Sequence, residues 1–315
     1  MKKKSRVLIT GGAGYIGSKL STRLIELGYK VTVIDILKFD KNSLLHLLSR
    51  KNFKFIKGDT RNKKLLNKQL RINDIIIPLA ALVGAPLCEK FPKVAKEVNF
   101  KNIKYILTKI KTNQKIIYPN TNSGYGIGKK NAYCTEKSDL NPISLYGKTK
   151  VDAEKLILKH KNSVVFRLAT VFGFSYRMRT DLLVNFLVHK AVTKKILEIF
   201  QPNFRRNYIH VNDVVEAFIF AIQKFRYMKG NIYNVGLSDA NLTKGQLARR
   251  ISKIVKKTKI KILKNKKDPD KRDYFVSNKK IERLGFKTSF GLDDGIKELN
   301  KIFTINSFEK NKNNY

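Results

Sequence analysis

The chain of 315 residues carries 66 Lys and Arg against 24 Asp and Glu, a formal net charge of +42, and 42% of its residues are hydrophobic. That apolar content can fill a sizeable core, which excludes a mainly disordered chain. No apolar run approaches the ~20 residues that cross a bilayer, and no secretory signal follows Met1, so we expect a soluble, cytoplasmic protein.

The distribution of the basic residues and the small number of cysteines argue against further classes of protein, namely nucleic-acid-binding, membrane-binding and metal-binding proteins. The excess is mostly lysine and is spread along the whole chain, as AT-rich coding sequence would produce. A nucleic-acid surface shows a compact basic patch with interleaved aromatics, which this sequence lacks, so we expect neither a nucleic acid nor a membrane as a partner. Cys88, Cys134 and the four histidines have no metal-ligand spacing, and no metal site is expected.

The first half of the chain alternates short apolar runs with helical patterns. The predicted strands are Arg6–Thr10, Lys30–Asp35, Phe53–Lys57, Asp74–Leu79, Gln114–Tyr118 and Ser163–Leu168. The predicted helices among them are Ser18–Leu27, Pro92–Lys111 and Asn141–Lys159. The strand runs are continuously apolar, which is typical of parallel strands buried on both faces. Their alternation with helices predicts an α/β protein with a doubly wound parallel sheet.

Beyond about residue 170 the pattern becomes less regular. Helices are predicted at Asp181–Thr193, Asn212–Phe225 and Leu242–Lys257, and short strands at Tyr208–Val211 and Asn231–Val235. The spacing indicates a first domain over 1–170 and a smaller C-terminal α/β lobe over 171–315, with the chain returning to the first domain around 208–236.

Three glycines recur between the first predicted strand and helix, at Gly11, Gly14 and Gly17, around Tyr15 and Ile16. Glycines permit a tight turn and a close approach of the backbone to a pyrophosphate. The helix N-terminus that follows presents free N–H groups and a favourable dipole to the anion. The strand–turn–helix context makes the pattern a strong sign of a dinucleotide site.

Asp35 ends the second predicted strand, 18 residues after Gly17. A carboxylate at this place accepts both hydroxyls of the adenosine ribose and repels a 2′-phosphate. We therefore expect NAD, and not NADP, as the cofactor.

Tyr146 and Lys150 stand at i and i+4 on one face of a predicted helix. An ammonium near a phenol favours the phenolate, and a positively charged nicotinamide adds to this effect. The phenol can then act as a general base near neutral pH.

Together these segments resemble the extended short-chain dehydrogenase/reductase family, in particular its NAD-dependent nucleotide-sugar epimerase/dehydratase branch. The matching segments are TGGAGYIG at 10–17, GDTR at 58–61, LAA at 79–81 (with Leu79 where the family shows His), NTNSGYG at 120–126 and RNYIHV at 206–211. The resemblance covers nearly the whole chain. It implies an NAD-binding Rossmann domain over 1–170 and a lobe over 171–315 that mostly binds the substrate.

The resemblance also implies the role of individual residues. The implied catalytic residues are Thr121, Tyr146 and Lys150. The cofactor contacts, besides Tyr146 and Lys150, are Gly11, Gly14, Tyr15, Ile16, Gly17, Asp35, Asp59, Thr60, Leu79, Ala80, Ala81 and Asn99. The substrate contacts are Thr121, Ser123, Arg206 and Arg272. We add Arg177, Arg179 and Asn185 to the substrate contacts, because guanidinium groups bind diphosphate bidentately and all three residues lie in the C-terminal lobe.

The implied reaction starts with a proton passing from a sugar C4 hydroxyl to Tyr146 and a hydride passing from C4 to nicotinamide. Thr121 binds the developing oxyanion, and Lys150 holds the nicotinamide ribose. The 4,6-dehydratases of the family typically show Thr-Asp-Glu where this chain has Thr121-Asn122-Ser123. Because Asn122 and Ser123 cannot supply that acid and base, dehydration and decarboxylation are disfavoured. We expect a nucleotide-sugar 4-epimerase; the alternative is a 4-dehydrogenase or 4-ketosugar reductase that releases its product.

Two hypotheses from other classes stay open. A non-catalytic relative that binds nucleotide or RNA would not need Thr121, Tyr146 and Lys150, all of which are present. A dehydrogenase of a steroid or flavonoid alcohol would not need Arg206 and Arg272, which match diphosphate contacts. The resemblance further implies a homodimer, formed through the helix of Tyr146 and its predecessor, and a role in polysaccharide biosynthesis.

Overall fold

A seven-stranded parallel sheet forms the centre of the protein in its computed structural model, which describes residues 4–129, 132–263 and 272–306. The strands found in the described ranges are β1 Arg6–Thr10, β2 Lys30–Asp35, β3 Phe53–Lys57, β4 Ile75–Pro78, β5 Lys115–Thr121, β6 Tyr133–Cys134, β7 Ser163–Leu168, β8 Thr170–Phe172, β9 Ile196–Ile199, β10 Arg205–His210, β11 Asn231–Val235, β12 Asn241–Thr243, β13 Lys259–Ile262 and β14 Phe275–Val276.

The central sheet has the order β11-β7-β5-β4-β1-β2-β3, with parallel pairing throughout. From β1 the chain adds β2 and β3 on one side and then crosses to add β4 and β5 on the other. This reversal opens a crevice at the carboxyl ends of β1 and β4, where doubly wound sheets bind their ligands. The predicted doubly wound parallel sheet is confirmed.

Helices cover both faces of this sheet. In the described ranges they are α1 Tyr15–Glu26, α2 Lys63–Leu70, α3 Ala85–Lys90, α4 Pro92–Lys96, α5 Asn102–Lys109, α6 Leu145–Ile157, α7 Leu183–Lys194, α8 Val211–Gln223, α9 Phe225–Met228, α10 Lys244–Ile254, α11 Lys279–Glu282 and α12 Leu292–Ile305. Short 3₁₀ turns lie at Leu45–Leu47 and Asn122–Tyr125, and a π-helical turn at Glu97–Lys101 joins α4 to α5.

The apolar run of β1 shows why the strand sequences do not alternate. Val7, Leu8 and Ile9 are all fully buried. Val7 and Ile9 pack in the cluster that holds α1 and α8, while Leu8 packs on the opposite face with α2, α5 and α6. Both faces of the strand are covered, so successive residues all lose contact with water. Each Å² of apolar surface buried in this way stabilises the fold by about 25 cal/mol.

The largest differences between the predicted and the observed helices concern two of them. The helix predicted over Pro92–Lys111 is divided by the π-helical turn at Glu97–Lys101. The helix predicted to begin at Asn141 begins at Leu145 instead. Its first turn is capped by Ser144, whose Oγ accepts a hydrogen bond from the Gly147 N–H at 3.3 Å, so the chain before Ser144 is not helical.

The second half of the chain builds a separate apolar core. Strands β8, β10 and β12 form a three-stranded sheet, and Leu187, Leu247 and Leu299 join α7, α10 and α12 in one buried cluster. The chain returns to the central sheet at β11, which pairs in parallel with β7. In the part of the chain that the structure describes, no helix has both the length and the apolar content needed to cross a membrane.

Candidate active site

A cavity of about 910 Å³ lies at the carboxyl ends of β1, β2, β4, β5 and β7. The predicted site residues that line it are Gly11, Gly14, Tyr15, Ile16, Gly17, Asp35, Asp59, Thr60, Leu79, Ala80, Ala81, Thr121, Ser123, Tyr146, Lys150, Arg177, Arg179, Arg206 and Arg272. Segments far apart in sequence therefore meet in one space, which is large enough for a dinucleotide and a second ligand.

The glycine turn is packed so tightly that side chains are excluded from several of its positions, among them Gly11 and Gly17. Gly11 has φ +74°, and a Cβ there would lie 2.5 Å from the backbone N of Ala80. A Cβ on Gly17 would lie 2.5 Å from the carbonyl oxygen of Gly11. Gly14 precedes α1, so the free N–H groups of that helix point toward the cavity.

Asp35 is held by backbone donors at the end of β2. Its Oδ2 accepts a hydrogen bond from the Ala13 N–H at 3.0 Å, and its Oδ1 accepts one from the Leu37 N–H at 2.8 Å. Burial raises the pKa of Asp35, while these backbone hydrogen bonds oppose that rise. The carboxylate is thus fixed in orientation at the edge of the cavity.

Asp59 lies at the cavity edge after β3 and is paired with Arg61. The Arg61 Nη2 is 2.6 Å from the Asp59 Oδ2, and hydrogen bonding from Arg61 lowers the pKa of Asp59. Arg61 also binds Glu97 at 2.8 Å. The adjacent Thr60 is buried.

Thr121, Ser123 and Arg272 form a connected polar group on the wall of the cavity. The Thr121 hydroxyl donates to the Ser123 Oγ at 3.0 Å and accepts from the Ser123 N–H at 3.1 Å. The guanidinium of Arg272 also donates to the Ser123 Oγ. The structure therefore brings Arg272 into contact with the segment at 120–126, although the two lie far apart in the sequence.

Lys150 on α6 is almost entirely buried and still lines the cavity. Its Nζ lies 4.0 Å from the centroid of the Tyr118 ring. Burial lowers the pKa of Lys150 to about 7, and the carboxylate of Glu154 partly opposes this shift. Tyr146, one turn earlier on the same helix, lines the same cavity and interacts electrostatically with Tyr118.

With this arrangement in view, the comparison with known proteins is decisive at the level of the family. A model of the NAD dependent epimerase/dehydratase family matches residues 7–236. The chain belongs to this family. It is therefore an enzyme of the extended short-chain dehydrogenase type, as the sequence motifs predicted.

Relatives in the epimerase/dehydratase family carry out different reactions. The chain is 29% identical over 96% of its length to a trifunctional UDP-glucose 4,6-dehydratase/UDP-4-keto-6-deoxy-D-glucose 3,5-epimerase/UDP-4-keto-L-rhamnose-reductase of Arabidopsis thaliana, and it spans 48% of that protein. Its fold matches the UDP-glucose 4-epimerase of Thermotoga maritima with a TM-score of 0.81, at 24% identity, over 95% of this chain and 98% of that one. It also matches a dTDP-glucose 4,6-dehydratase of Bacillus anthracis in complex with NAD, with a TM-score of 0.82, at 22% identity, over 96% of this chain and 97% of that one.

The residues of this epimerase/dehydratase chain fit NAD, the cofactor of the family. The glycine turn leaves the backbone at the start of α1 open to a pyrophosphate, and Asp35 supplies the carboxylate that suits two ribose hydroxyls. Lys150 is a buried cation at the opposite end, and a hydroxyl-bearing ligand there would offset its loss of solvent.

Three predicted contact residues have their side chains bound within the protein. Asn99 accepts from the Leu82 N–H at 2.9 Å and donates to the Leu82 carbonyl at 3.0 Å, so it positions the loop after β4. Asn185 accepts from the Gly173 N–H at 3.0 Å and donates to the Arg179 carbonyl at 2.8 Å. Among the described lining residues of the cavity, neither asparagine is present.

Tyr15 is the third of these residues. It lines the cavity, but its hydroxyl is buried and donates to the Gly173 carbonyl at 2.6 Å. Burial raises the pKa of Tyr15 well above its usual range. We therefore assign positioning roles to Tyr15, Asn99 and Asn185 and do not retain Asn185 as a substrate contact.

The two arginines after β8 differ in their surroundings. Arg179 forms a buried ion pair with Asp181, with 2.5 Å between Nη2 and Oδ2. Arg177, predicted as a substrate contact, lies beside Phe39 and is attracted by Asp35 and Asp40. The structure therefore places Arg177 at the end of the cavity that the second strand borders, on the cofactor side.

Sequence patterns did not reveal the buried network behind Thr121. Glu154 binds Arg167 at 2.6 Å and accepts a hydrogen bond from the Asn120 Nδ2, and the Asn120 Oδ1 accepts from the Thr121 N–H at 2.8 Å. One signal for Glu154 was available, since it stands four residues after Lys150 on the same helix face.

Proposed function

We propose that this protein is an NAD-dependent nucleotide-sugar 4-epimerase that acts by transient oxidation at C4 of the hexose. The observation that carries the proposal is that Thr121, Tyr146 and Lys150 line one cavity with the dinucleotide-binding turn. The residues after Thr121 are Asn122 and Ser123, so the position that holds an acid and a base in the dehydratases holds none here.

The proposed chemistry assigns one task to each group. Tyr146 takes the proton of the C4 hydroxyl, and Lys150 favours the phenolate by its positive charge. Thr121 donates a hydrogen bond to the oxyanion that forms at C4, after rotating away from its present acceptor on Ser123. A bound NAD, held by the glycine turn, Asp35 and Lys150, would supply the acceptor for the C4 hydride and the donor for its return to the opposite face of the keto sugar.

Basic side chains support a nucleotide diphosphate as the anionic part of the substrate. Arg206, Lys244 and Arg272 line the same cavity as Ser123. Guanidinium and ammonium groups bind diphosphate oxygens strongly in a cavity that excludes water. The named relatives act on UDP and dTDP sugars, which agrees with this assignment.

Two other outcomes of the same C4 oxidation are the competing functions. A keto sugar that leaves the cavity makes the enzyme a 4-dehydrogenase or, in reverse, a 4-ketosugar reductase. A 4,6-dehydratase is favoured by the activities of the Arabidopsis and Bacillus relatives. It would require an acid and a base from outside the Asn122–Ser123 pair.

The proposed homodimer joins copies through α5 and α6, as the family resemblance implies. Exposed positions on these helices include Lys104, Lys148 and Lys155 beside Asp152. Two copies meeting there bring like charges together, so we expect the dimer to become more stable as salt rises. Light scattering at two ionic strengths measures this, and a monomer at every salt concentration contradicts the dimer.

The proposed function is tested by identifying the released cofactor and the products. The purified protein is denatured and its supernatant analysed for NAD and NADH, and the native protein is incubated with UDP-glucose, UDP-N-acetylglucosamine, dTDP-glucose and GDP-mannose. The proposal predicts retained NAD or NADH and an inverted C4 signal by NMR for one of the nucleotide sugars. A 4-keto-6-deoxy product establishes a dehydratase instead, and stoichiometric NADH with a free keto sugar establishes a dehydrogenase.

A further inference from the structure

The segment that follows β8 lies directly on the first helix of the dinucleotide-binding domain. The Ser175 Oγ donates to the Tyr15 carbonyl at 2.6 Å and lies 3.0 Å from the Ser18 Oγ. The backbone N–H of Arg177 donates to the Ser18 Oγ at 3.4 Å. Together with the bond from the Tyr15 hydroxyl to the Gly173 carbonyl, these contacts hold the backbone of Arg177 against the start of α1.

Arg177 reaches from this segment into the cofactor end of the cavity. The residue is 2% exposed, lines the cavity, and places its guanidinium carbon 4.9 Å from the centroid of the Phe39 ring. Burial and the neighbouring Arg179 lower the pKa of Arg177 to about 10, although Asp181, Asp40 and Asp35 oppose the shift. Since the pKa stays near 10, the side chain remains a cation at neutral pH.

The carboxylates at the cofactor end of the cavity would repel a negatively charged dinucleotide. Asp35 and Asp40 both line the cavity beside the glycine turn, where the doubly charged pyrophosphate of a dinucleotide binds. Two carboxylates in a water-poor site repel that diphosphate. A cation between these carboxylates offsets the repulsion. Because the contacts with α1 already hold the Arg177 backbone in place, that backbone loses no further conformational freedom when the ligand binds.

We propose that Arg177 is a cofactor-binding residue, whose guanidinium supplies the positive charge that allows the Asp35 and Asp40 end of the cavity to bind the adenosine diphosphate half of NAD. Its segment lies between β8 and α7, so a residue from outside the β1–β2 region completes the cofactor site. The inference depends on NAD as the cofactor and is independent of the reaction proposed at C4.

The test is a direct measurement of ligand binding to the cofactor-free protein. Calorimetry gives dissociation constants for NAD, ADP and nicotinamide mononucleotide with the wild type, Arg177→Ala and Arg177→Lys. We expect Arg177→Ala to weaken the binding of NAD and ADP by at least about tenfold. Arg177→Lys should lose less affinity, because lysine keeps the charge but not the planar guanidinium. Nicotinamide mononucleotide is expected to bind equally to all three proteins.

Lys41→Ala is the matched control, because Lys41 is an exposed cation on the loop after β2, next to Asp40, and is absent from the described lining residues of the cavity. We expect it to change NAD affinity by less than about twofold, as for a screened surface charge. Thermal unfolding, measured in parallel, shows whether each variant is folded. If Arg177→Ala does not fold, the affinities of Arg177→Lys are compared with the wild type instead.

The inference is overturned if the folded Arg177→Ala protein binds NAD with wild-type affinity. If Arg177→Ala does not fold, the same result for Arg177→Lys overturns it. So does an equal loss for ADP and nicotinamide mononucleotide, since that result indicates general damage to the cavity. A protein that binds NAD through Arg177 but inverts no sugar would refute the proposed function and leave this inference standing.

Discussion

Arg167 binds Glu154 through two hydrogen bonds, from Nη2 to Oε1 at 2.6 Å and from Nε to Oε2 at 3.2 Å, and both side chains are buried. The Glu154 Oε2 also accepts from Asn120, whose Oδ1 accepts from the Thr121 N–H. The pair therefore connects α6, which carries Tyr146 and Lys150, with the end of β5, which carries Thr121. Buried networks of this kind are costly to break at one partner.

Glu154→Gln is expected to lower kcat by about tenfold while leaving NAD affinity within about twofold, because the altered network misplaces Thr121 relative to Tyr146 and does not touch the adenosine end. Steady-state kinetics and calorimetry measure the two quantities. Asp152→Asn, an exposed change on the same helix, is the control and is expected to alter neither. An equal loss of NAD affinity and kcat in Glu154→Gln would instead indicate a general structural role.

Lys150→Met is expected to stabilise the cofactor-free protein most below pH 7. The pKa of Lys150 is lowered by burial from 10.5 in the unfolded chain to about 7 in the fold. The folded protein therefore bears the full cost of the buried charge below pH 7, and this cost disappears as pH rises from 7 to 10.5. The gain, which we place at roughly 2–5 kcal/mol at pH 6, should shrink toward zero near pH 10.

Chemical denaturation of the wild type and Lys150→Met at several pH values measures this difference. Lys155→Met, at an exposed position of the same helix, is the control and is expected to show little dependence on pH. A constant difference between Lys150→Met and the wild type from pH 6 to pH 10 would contradict a lowered pKa for Lys150.

Tyr146→Phe is expected to reduce kcat by about 10²–10⁴-fold with NAD binding retained, because it removes the general base but keeps the ring. Turnover of the nucleotide sugar identified by NMR and calorimetry with NAD are the two measurements. Near-normal turnover in Tyr146→Phe would refute the assignment of the phenol as the base.

Gly17→Ala is expected to prevent NAD binding and to lower the free energy of unfolding by about 1–3 kcal/mol, since its Cβ would lie 2.5 Å from the Gly11 carbonyl oxygen. Calorimetry and chemical denaturation test both expectations. Gly245→Ala, where a Cβ would meet its nearest neighbour at 3.3 Å in the C-terminal lobe, is the control and should keep NAD binding. Normal NAD binding by the Gly17→Ala variant would show that the turn tolerates a side chain.

The central sheet could be predicted because the signal for each strand is local. β1, β2, β3, β7 and β11 have the predicted bounds, since each is a short segment rich in apolar residues. The glycine turn was predictable for the same reason, because the spacing of its glycines between a strand and a helix can be read from eight consecutive residues.

The position of Arg177 could not be predicted, because it depends on the path of the chain between β8 and α7. That path is set by contacts across more than 150 positions, such as the bond between Tyr15 and Gly173, and no periodicity in the segment reports them. The same applies to Asn99 and Asn185, whose residue type suits either a ligand or a backbone contact. The buried partners of Glu154 also come from two other strands.

The most direct test of the central claim uses a nucleotide sugar that carries deuterium at C4, with the product examined by NMR. If Tyr146 and Thr121 support removal of a hydride from C4 and its return to the same carbon, the inverted product keeps its deuterium at C4. Deuterium at C6 would show that water was eliminated across C5 and C6 before the cofactor was regenerated, and deuterium left on nicotinamide would show net oxidation. Either result contradicts the 4-epimerase, and an inverted product whose deuterium is lost to solvent contradicts oxidation at C4 itself.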